Sequence, residues 1–331
     1  MRETELGTTA LRVTPLGLGL AAVWRPGYIN LGHADDLAAD YAPSAMEARA
    51  HRVLDAAWAG GVRYFDAARS YGRAEAFLSS WLERREISPD QVTVGSKWGY
   101  VYTAGWRVDA AAHEVKEHSA AVLRRQLAET RALLGAQLDL YQIHSATPES
   151  GVLDDAEVID ELTRLRADGV RVGLSVSGPT QGETIHRALT IERDGRPLFN
   201  AVQATWNLLE PSAGPALAAA RARGLGVIVK EALANGRLTE RNSDPAFADG
   251  LARLREEAAR LGTSVDAVAL GAALAQPWAD VVLSGAATVE QIRSNLAAMR
   301  GAWDDEATRR LSALAVAPAA YWRQRSALPW N

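Results

Sequence analysis

Residues 46–72 read MEARAHRVLDAAWAGGVRYFDAARSYG. The first half carries apolar residues at helical spacing and closes on a glycine pair, as helix C-termini do. The second half is a short apolar run that ends on Asp66, with Tyr71 five residues later. The same succession of helix, glycine turn and apolar run recurs along the chain. Apolar runs lie at 15–20, 62–67, 92–97, 138–144, 170–177, 201–207, 224–231 and 280–286. Each is brief, often β-branched and not strictly alternating, which suits strands covered on both faces of a parallel sheet. Helical stretches stand between them at 46–60, 120–135, 155–169 and 215–224, and AGGV, ADGV and ARGL look like one repeated helix-to-strand turn. Strand–helix alternation of this kind predicts an α/β fold, a (β/α)8 TIM barrel forming a single domain over 1–331. A doubly wound sheet is the rival, but no GxGxxG follows an early strand. Two segments depart from the repeat: a long loop at 22–44 and a tail at 315–331 bearing Pro and Trp.

The composition narrows the function classes. Hydrophobic residues make up 48% of the chain and charged residues 23%, enough to bury a large core. The net charge is −4 and no basic cluster stands out, so no nucleic-acid partner is expected. There is no cysteine, which excludes disulfides and thiolate chemistry. The six histidines are scattered without ligand spacing, so no metal is expected. No run is long and apolar enough for a membrane span, and the start MRETELGTTALRV lacks signal-peptide character. A cytoplasmic location is the resulting expectation; the oligomeric state is not readable. Only three of the 36 cationic residues are lysine: Lys97, Lys116 and Lys230. Lys97 and Lys230 end apolar runs, where the difference between ammonium and guanidinium matters.

In a barrel the C-terminal ends of the strands face the active site. Those ends carry Asp66, Lys97, His144, Ser175, Ser177, Gln203, Trp206, Lys230, Glu231 and Ser284, with Tyr71 just past the second strand. Taken singly, Asp66 reads equally well as a helix cap, Tyr71 as a surface aromatic and His144 as a core histidine. Together they place a carboxylate, a phenol, an ammonium and an imidazole on three successive strand ends.

These stretches resemble the aldo-keto reductase superfamily over most of the chain. LGTTALRVTPLGLGL is similar to its N-terminal hairpin and first strand, GVRYFDAARSYG to its Asp/Tyr motif, and GSKWG, YQIHS, VQATWNLLE and GAATVEQIRSN follow in the family's order. The resemblance implies hydride transfer between a nicotinamide cofactor and a carbonyl or alcohol substrate. Tyr71 would be the general acid/base. Lys97 would favour its phenolate while burial opposes that, Asp66 would hold Lys97, and His144 would orient the carbonyl.

The resemblance also implies cofactor contacts. Ser175 and Gln203 would hold the nicotinamide carboxamide, although Val176 stands where the family often has asparagine, with Ser177 a substitute. VIVKEALANGRLT matches the pyrophosphate loop and brings in Lys230, Glu231, Leu233 and Gly236. The family's stacking aromatic is replaced by Lys230; Trp206 and Trp98 are candidates to stand in for it, with Lys230 pairing with the pyrophosphate or with Glu231 as the alternative. Gly285, Ala286, Gln291 and Asn295 would line the adenosine end, with Gln291 at the position of a phosphate-reading arginine and Arg293 close by. NADP is the family's leaning, with NAD the alternative. Loops 22–44 and 98–106 and the tail with Trp322 and Trp330 would shape a mouth for an aldehyde, ketone or sugar-like carbonyl. Two rival readings stay open here: a non-catalytic cofactor-binding regulatory subunit of the same fold, and a Schiff-base lyase using Lys97 or Lys230.

Overall fold

The computed structural model describes residues 1–301 and 303–331. Eight parallel strands close into a barrel. We number them β1 (Leu16–Gly19), β2 (Tyr64–Asp66), β3 (Thr93–Trp98), β4 (Leu140–Ala146), β5 (Arg171–Val176), β6 (Ala201–Thr205), β7 (Gly226–Lys230) and β8 (Val281–Ser284). Every apolar run singled out in the sequence overlaps one of them, with β3 and β4 extending one and two residues beyond theirs. Each strand pairs with its sequence neighbours, and β8 closes on β1 through the register Val282–Leu16, Leu283–Gly17 and Ser284–Leu18. The (β/α)8 fold expected from the alternation is therefore the observed one.

The four helical stretches read from periodicity appear as Pro43–Ala59, Ala120–Leu134, Ala156–Ala167 and Gly214–Ala222. Their starts follow local chemistry. Ser119 and Asp155 accept hydrogen bonds from backbone N–H groups of their helices' first turns, and Pro43 occupies a first-turn position where no N–H is needed. The outward faces of the strands pack on these helices through a continuous apolar layer that includes Phe65, Val94, Tyr141, Val202 and Val227.

A short hairpin, Thr4–Glu5 with Arg12–Val13, closes the N-terminal end of the barrel. Its Leu6 and Val13 are fully buried and pack with Tyr64, Leu140, Ala201, Ile228 and Val281. That apolar layer plugs the bottom and leaves the opposite end for chemistry. At the bottom edge, Asp139 Oδ2 accepts the Val94 N–H at 2.8 Å and ties β3 to the start of β4. Burial, outweighing that bond and Arg171, pushes the Asp139 carboxyl up to about 6. The folded chain thus holds this proton more tightly than the unfolded one. Its contribution to stability is full below about pH 4 and is lost as pH rises through about 6. Asp139→Asn keeps an acceptor for Val94 and should raise Tm at neutral pH without raising it at acid pH; a lower neutral-pH Tm would contradict this.

The segments outside the repeat are more structured than their composition announced. The stretch 98–119 contains an antiparallel pair, Tyr100–Tyr102 with Glu114–Lys116. The tail holds a helix, Pro318–Ser326, begun by a proline at its first turn. No helix among the described residues is long and apolar enough to cross a membrane.

Candidate active site

The pleat of the strands builds the site. Successive residues of a strand point to opposite faces, so positions two apart share the barrel interior. On β2 these are Tyr64 and Asp66, on β4 Leu140, Gln142 and His144, and on β6 Ala201 and Gln203. Reading upward, an apolar layer gives way to a polar one and then to an open cavity. Gly95 on β3 makes room in the polar layer: a Cβ there would lie 2.6 Å from the Tyr64 hydroxyl and 3.3 Å from Asp66 Oδ1.

Asp66 is the node of that layer and is 1% exposed. Its Oδ2 accepts a short hydrogen bond from the Lys97 ammonium. Its Oδ1 accepts from Tyr64 OH at 3.2 Å, Gln142 Nε2 at 3.2 Å and Gln203 Nε2 at 3.0 Å. Lys97 also donates to the Ala67 carbonyl at 3.0 Å, and its ammonium lies 5.0 Å from the centroid of the Tyr71 ring. The Tyr71 hydroxyl sits 3.4 Å from His144 Nε2, and Ser70 Oγ lies 3.4 Å from His144 Nδ1. The glycine after Tyr71 fixes this approach. Gly72 has φ 63°, and a Cβ there would lie 2.7 Å from the Trp24 carbonyl oxygen and 2.9 Å from the Arg25 Cβ. The structure thus brings together all four residues of the constellation.

The electrostatics define their protonation states. Burial, reinforced by Asp66, raises the Tyr71 phenol well above its ordinary value, against the opposing charge of Arg25. The lowering expected from Lys97 is outweighed by burial first and the Asp66 carboxylate second. Burial, followed by the charges of Lys97, Lys230 and Arg25, lowers His144 well below its ordinary value. At neutral pH the site therefore presents a protonated phenol and a neutral imidazole.

A cavity of about 820 Å³ opens over this layer. Asp66, Tyr71, His144, Gln203, Lys230, Glu231, Leu233, Gly236, Gly285, Ala286, Gln291 and Asn295 all line it. Lys97 lies behind Asp66, fully buried. Ser175 is not in the wall; its Oγ accepts the Ser145 N–H at 2.8 Å and so fixes the backbone beside His144. Ser177 does reach the wall. Trp98 and Trp206, candidates for the missing stacking aromatic, are turned away from the cavity: Trp98 packs on His118 and Trp206 on Trp278. Tyr28, Tyr100, Trp322 and Trp330 supply the wall's aromatic rings instead. Gln291 completes a reciprocal helix cap: Thr288 Oγ1 accepts its N–H, and its Oε1 accepts the Ala287 N–H at 2.7 Å. Asn295 Nδ2 donates to Ser284 Oγ at 2.8 Å. Arg293 is exposed and outside the wall.

Several wall residues gave no sign in the sequence. Arg25, 2% exposed, pairs with Glu114 at 2.9 Å and lies within 5.4 Å of the ring centroids of Tyr28, Tyr71 and Trp330. Arg325 grips Glu231 with two nitrogens at 2.5–3.0 Å, joining β7 to the tail helix. Glu231 is held down to about 2, since Arg325 and Lys230 outweigh its burial. Across the mouth, Arg241 pairs with Asp36 at 2.5 and 2.8 Å, and Gln291 Nε2 donates to Asp36 at 2.9 Å. Asn331 exchanges backbone hydrogen bonds with Tyr28, both at 3.1 Å. These are contacts between loops far apart in sequence, so no local motif could announce them.

The model of the Aldo/keto reductase family matches residues 36–315. The chain belongs to the aldo/keto reductase family. As an aldo/keto reductase it is an oxidoreductase. The uncharacterised oxidoreductase YrpG of Bacillus subtilis (strain 168) is 27% identical over 338 residues, covering 94% of this chain and 95% of the relative. Pyridoxal 4-dehydrogenase of Microbacterium luteolum is 29% identical over 163 residues, covering 43% of this chain and 42% of that enzyme. Among solved structures, aldo-keto reductase AKR11C1 from Bacillus halodurans in its holo form superposes with a TM-score of 0.73 at 23% identity, over 96% of this chain and 97% of that one. That likeness is one of fold.

Proposed function

We propose that this aldo/keto reductase interconverts a carbonyl and an alcohol with a nicotinamide dinucleotide, using Tyr71 as general acid/base. The observation that carries the reading is the Tyr71 hydroxyl and His144 Nε2 converging at 3.4 Å on the cavity floor, above the buried Asp66–Lys97 pair. A carbonyl oxygen placed between them receives two hydrogen bonds, from a protonated phenol and a neutral imidazole. Tyr71 then gives its proton to the oxygen as negative charge develops there. Lys97 supplies the nearby positive charge that stabilises the resulting phenolate, and Asp66 keeps that ammonium in place. The reverse direction uses the same atoms, with Tyr71 as base.

The residues present fit a dinucleotide. A Cβ added at Gly178 or Gly285 meets nothing within 4 Å, so the wall is open over both peptides. Asn235 Oδ1 is buried without a hydrogen-bond partner, ready for a hydroxyl. Gln203, Ser177, Gly236, Gly285, Gln291 and Asn295 would hold the cofactor, which when bound supplies or accepts the hydride. The Asp66–Lys97 pair disfavours Lys97 as a Schiff-base lysine, since a carboxylate stabilises the protonated amine over the nucleophilic one.

The cofactor's ribose end favours NADH over NADPH, against the family's leaning. Its wall combines Asp36 with Gln291, and Arg241 is already committed to Asp36. An acid there accepts from a ribose hydroxyl and repels a 2′-phosphate. Calorimetric titration should give a lower Kd for NADH, and Asp36→Asn should tighten NADPH by about tenfold relative to NADH. Tighter NADPH binding by the unmodified protein would reverse the assignment. The function itself is tested by oxidation of both cofactors against aldehydes and ketones. Cofactor binding without turnover of any carbonyl would favour the regulatory-subunit alternative.

A further inference from the structure

We propose that the cavity selects a carbonyl substrate bearing a carboxylate, and that Lys230 is the residue that holds it. The inference rests on the carbonyl-reducing reading above and adds the substrate class.

Three buried or half-buried cations around the inner cavity have carboxylates of their own: Arg25 has Glu114, Lys97 has Asp66 and Arg325 has Glu231. Among the described residues no carboxylate pairs with the Lys230 ammonium. It donates to Thr205 Oγ1 at 3.0 Å, whose hydroxyl donates onward to Glu231 Oε2 at 3.3 Å, and it lies 5.8 Å from the centroid of the Trp322 ring. Glu231, the next residue, takes a left-handed backbone with φ 56° and turns its carboxylate to Arg325. The Lys230 ammonium is half-buried and reaches the Glu231 carboxylate only through Thr205, so a ligand that brings a carboxylate into direct contact strengthens its charge pairing. Burial, partly offset by Glu231, brings the Lys230 ammonium down to about 8, so it remains mostly charged at neutral pH.

A second observation points the same way. The indole Nε1 of Trp322, in the same wall, is buried without a hydrogen-bond partner. An ammonium 5.8 Å from the centroid of the ring that carries an unused N–H donor suits an acceptor-only group of low charge. Asp66, Glu114 and Glu231 surround this region and disfavour a dianion, so the match is a carboxylate rather than a phosphate. Lys230 pairs in register with Thr205, two residues past the Gln203 that donates to Asp66, so it stands one step above the polar layer at the reacting end of the cavity. Finally, lysine is kept here in a chain where only three of 36 cations are lysine.

The chemistry balances without further reagents. The carbonyl carbon takes a hydride, its oxygen takes the Tyr71 proton, C=O becomes CH–OH with oxidation of the nicotinamide, and solvent returns the tyrosine proton. The carboxylate leaves unchanged.

The test compares 4-carboxybenzaldehyde with benzaldehyde, for the unmodified protein and for Lys230→Met. The unmodified protein should show kcat/KM at least about tenfold higher for the carboxylate, and Lys230→Met should bring the ratio near unity. The ratio is internal to each protein, so shared losses of fold or cofactor affinity cancel. 4-Carbamoylbenzoate, a monoanion that cannot be reduced, should bind the NADH-loaded protein in calorimetry and fail to bind the variant. Equal kcat/KM values in the unmodified protein, or a ratio preserved in the variant, would overturn the proposal. So would an unchanged ratio with weakened NADH binding, which would assign Lys230 to the cofactor. If neither aldehyde is turned over, the reductase reading is in question, while Lys230-dependent 4-carbamoylbenzoate binding still decides the anion site.

Discussion

Tyr71→Phe should lower kcat for carbonyl reduction by about a thousandfold, within the range expected for loss of a positioned proton donor. The substitution removes one oxygen and keeps the ring that lines the cavity, so NADH binding measured by calorimetry should be retained. The neutral state of the phenol makes the expectation sharper. Burial and Asp66 hold its proton on through neutral pH, so loss of the Tyr71 proton should cause no alkaline fall in the reduction rate in that range. Full activity in Tyr71→Phe would dismiss the mechanism; a loss confined to KM would make Tyr71 a binding residue only.

The second large effect concerns the fold and the chemistry together. Asp66→Asn leaves the Lys97 ammonium buried without its anion. Breaking a buried pair from one side costs about 3–5 kcal/mol, while removing both charges costs far less. For a chain of this length that is a fall in Tm of roughly 4–7 °C. Lys97→Met should cost less, since Tyr64, Gln142 and Gln203 still donate to Asp66. The double variant should be more stable than the sum of the two single losses predicts. Both single variants should also lose turnover. Strict additivity in thermal unfolding would show that the pair contributes nothing as a pair.

The reach of sequence reading follows from where each contact is made. Strands declared themselves because each is a short apolar run closed by glycine or a polar residue. The tetrad was legible because barrel geometry sends strand-end side chains to one place, and Asp66, Tyr71, Lys97 and His144 lie on or just past three successive strands. Contacts made by the pleat were only partly legible: Gln142, two residues before His144, shares its face but sits inside an apolar run and drew no notice. Ser175 was placed on the correct strand, yet its hydroxyl serves the backbone of Ser145. Arg25, Asp36, Arg241 and Arg325 were invisible because their partners lie 89, 205, 205 and 94 residues away. The stacking candidates Trp98 and Trp206 failed for a geometric reason: neither side chain turns into the cavity, and the indoles that do line it come from the tail.

Those tail indoles have a spectroscopic consequence. Trp322 and Trp330 line the cavity, and Trp330 stacks on His113 at 4.0 Å with the rings 5° from parallel while Arg25 lies 4.8 Å from its centroid. Indole emission responds to adjacent charge and to absorbing rings. An occupant of the cavity therefore changes the surroundings of two chromophores at once, and intrinsic fluorescence reports its arrival without a label.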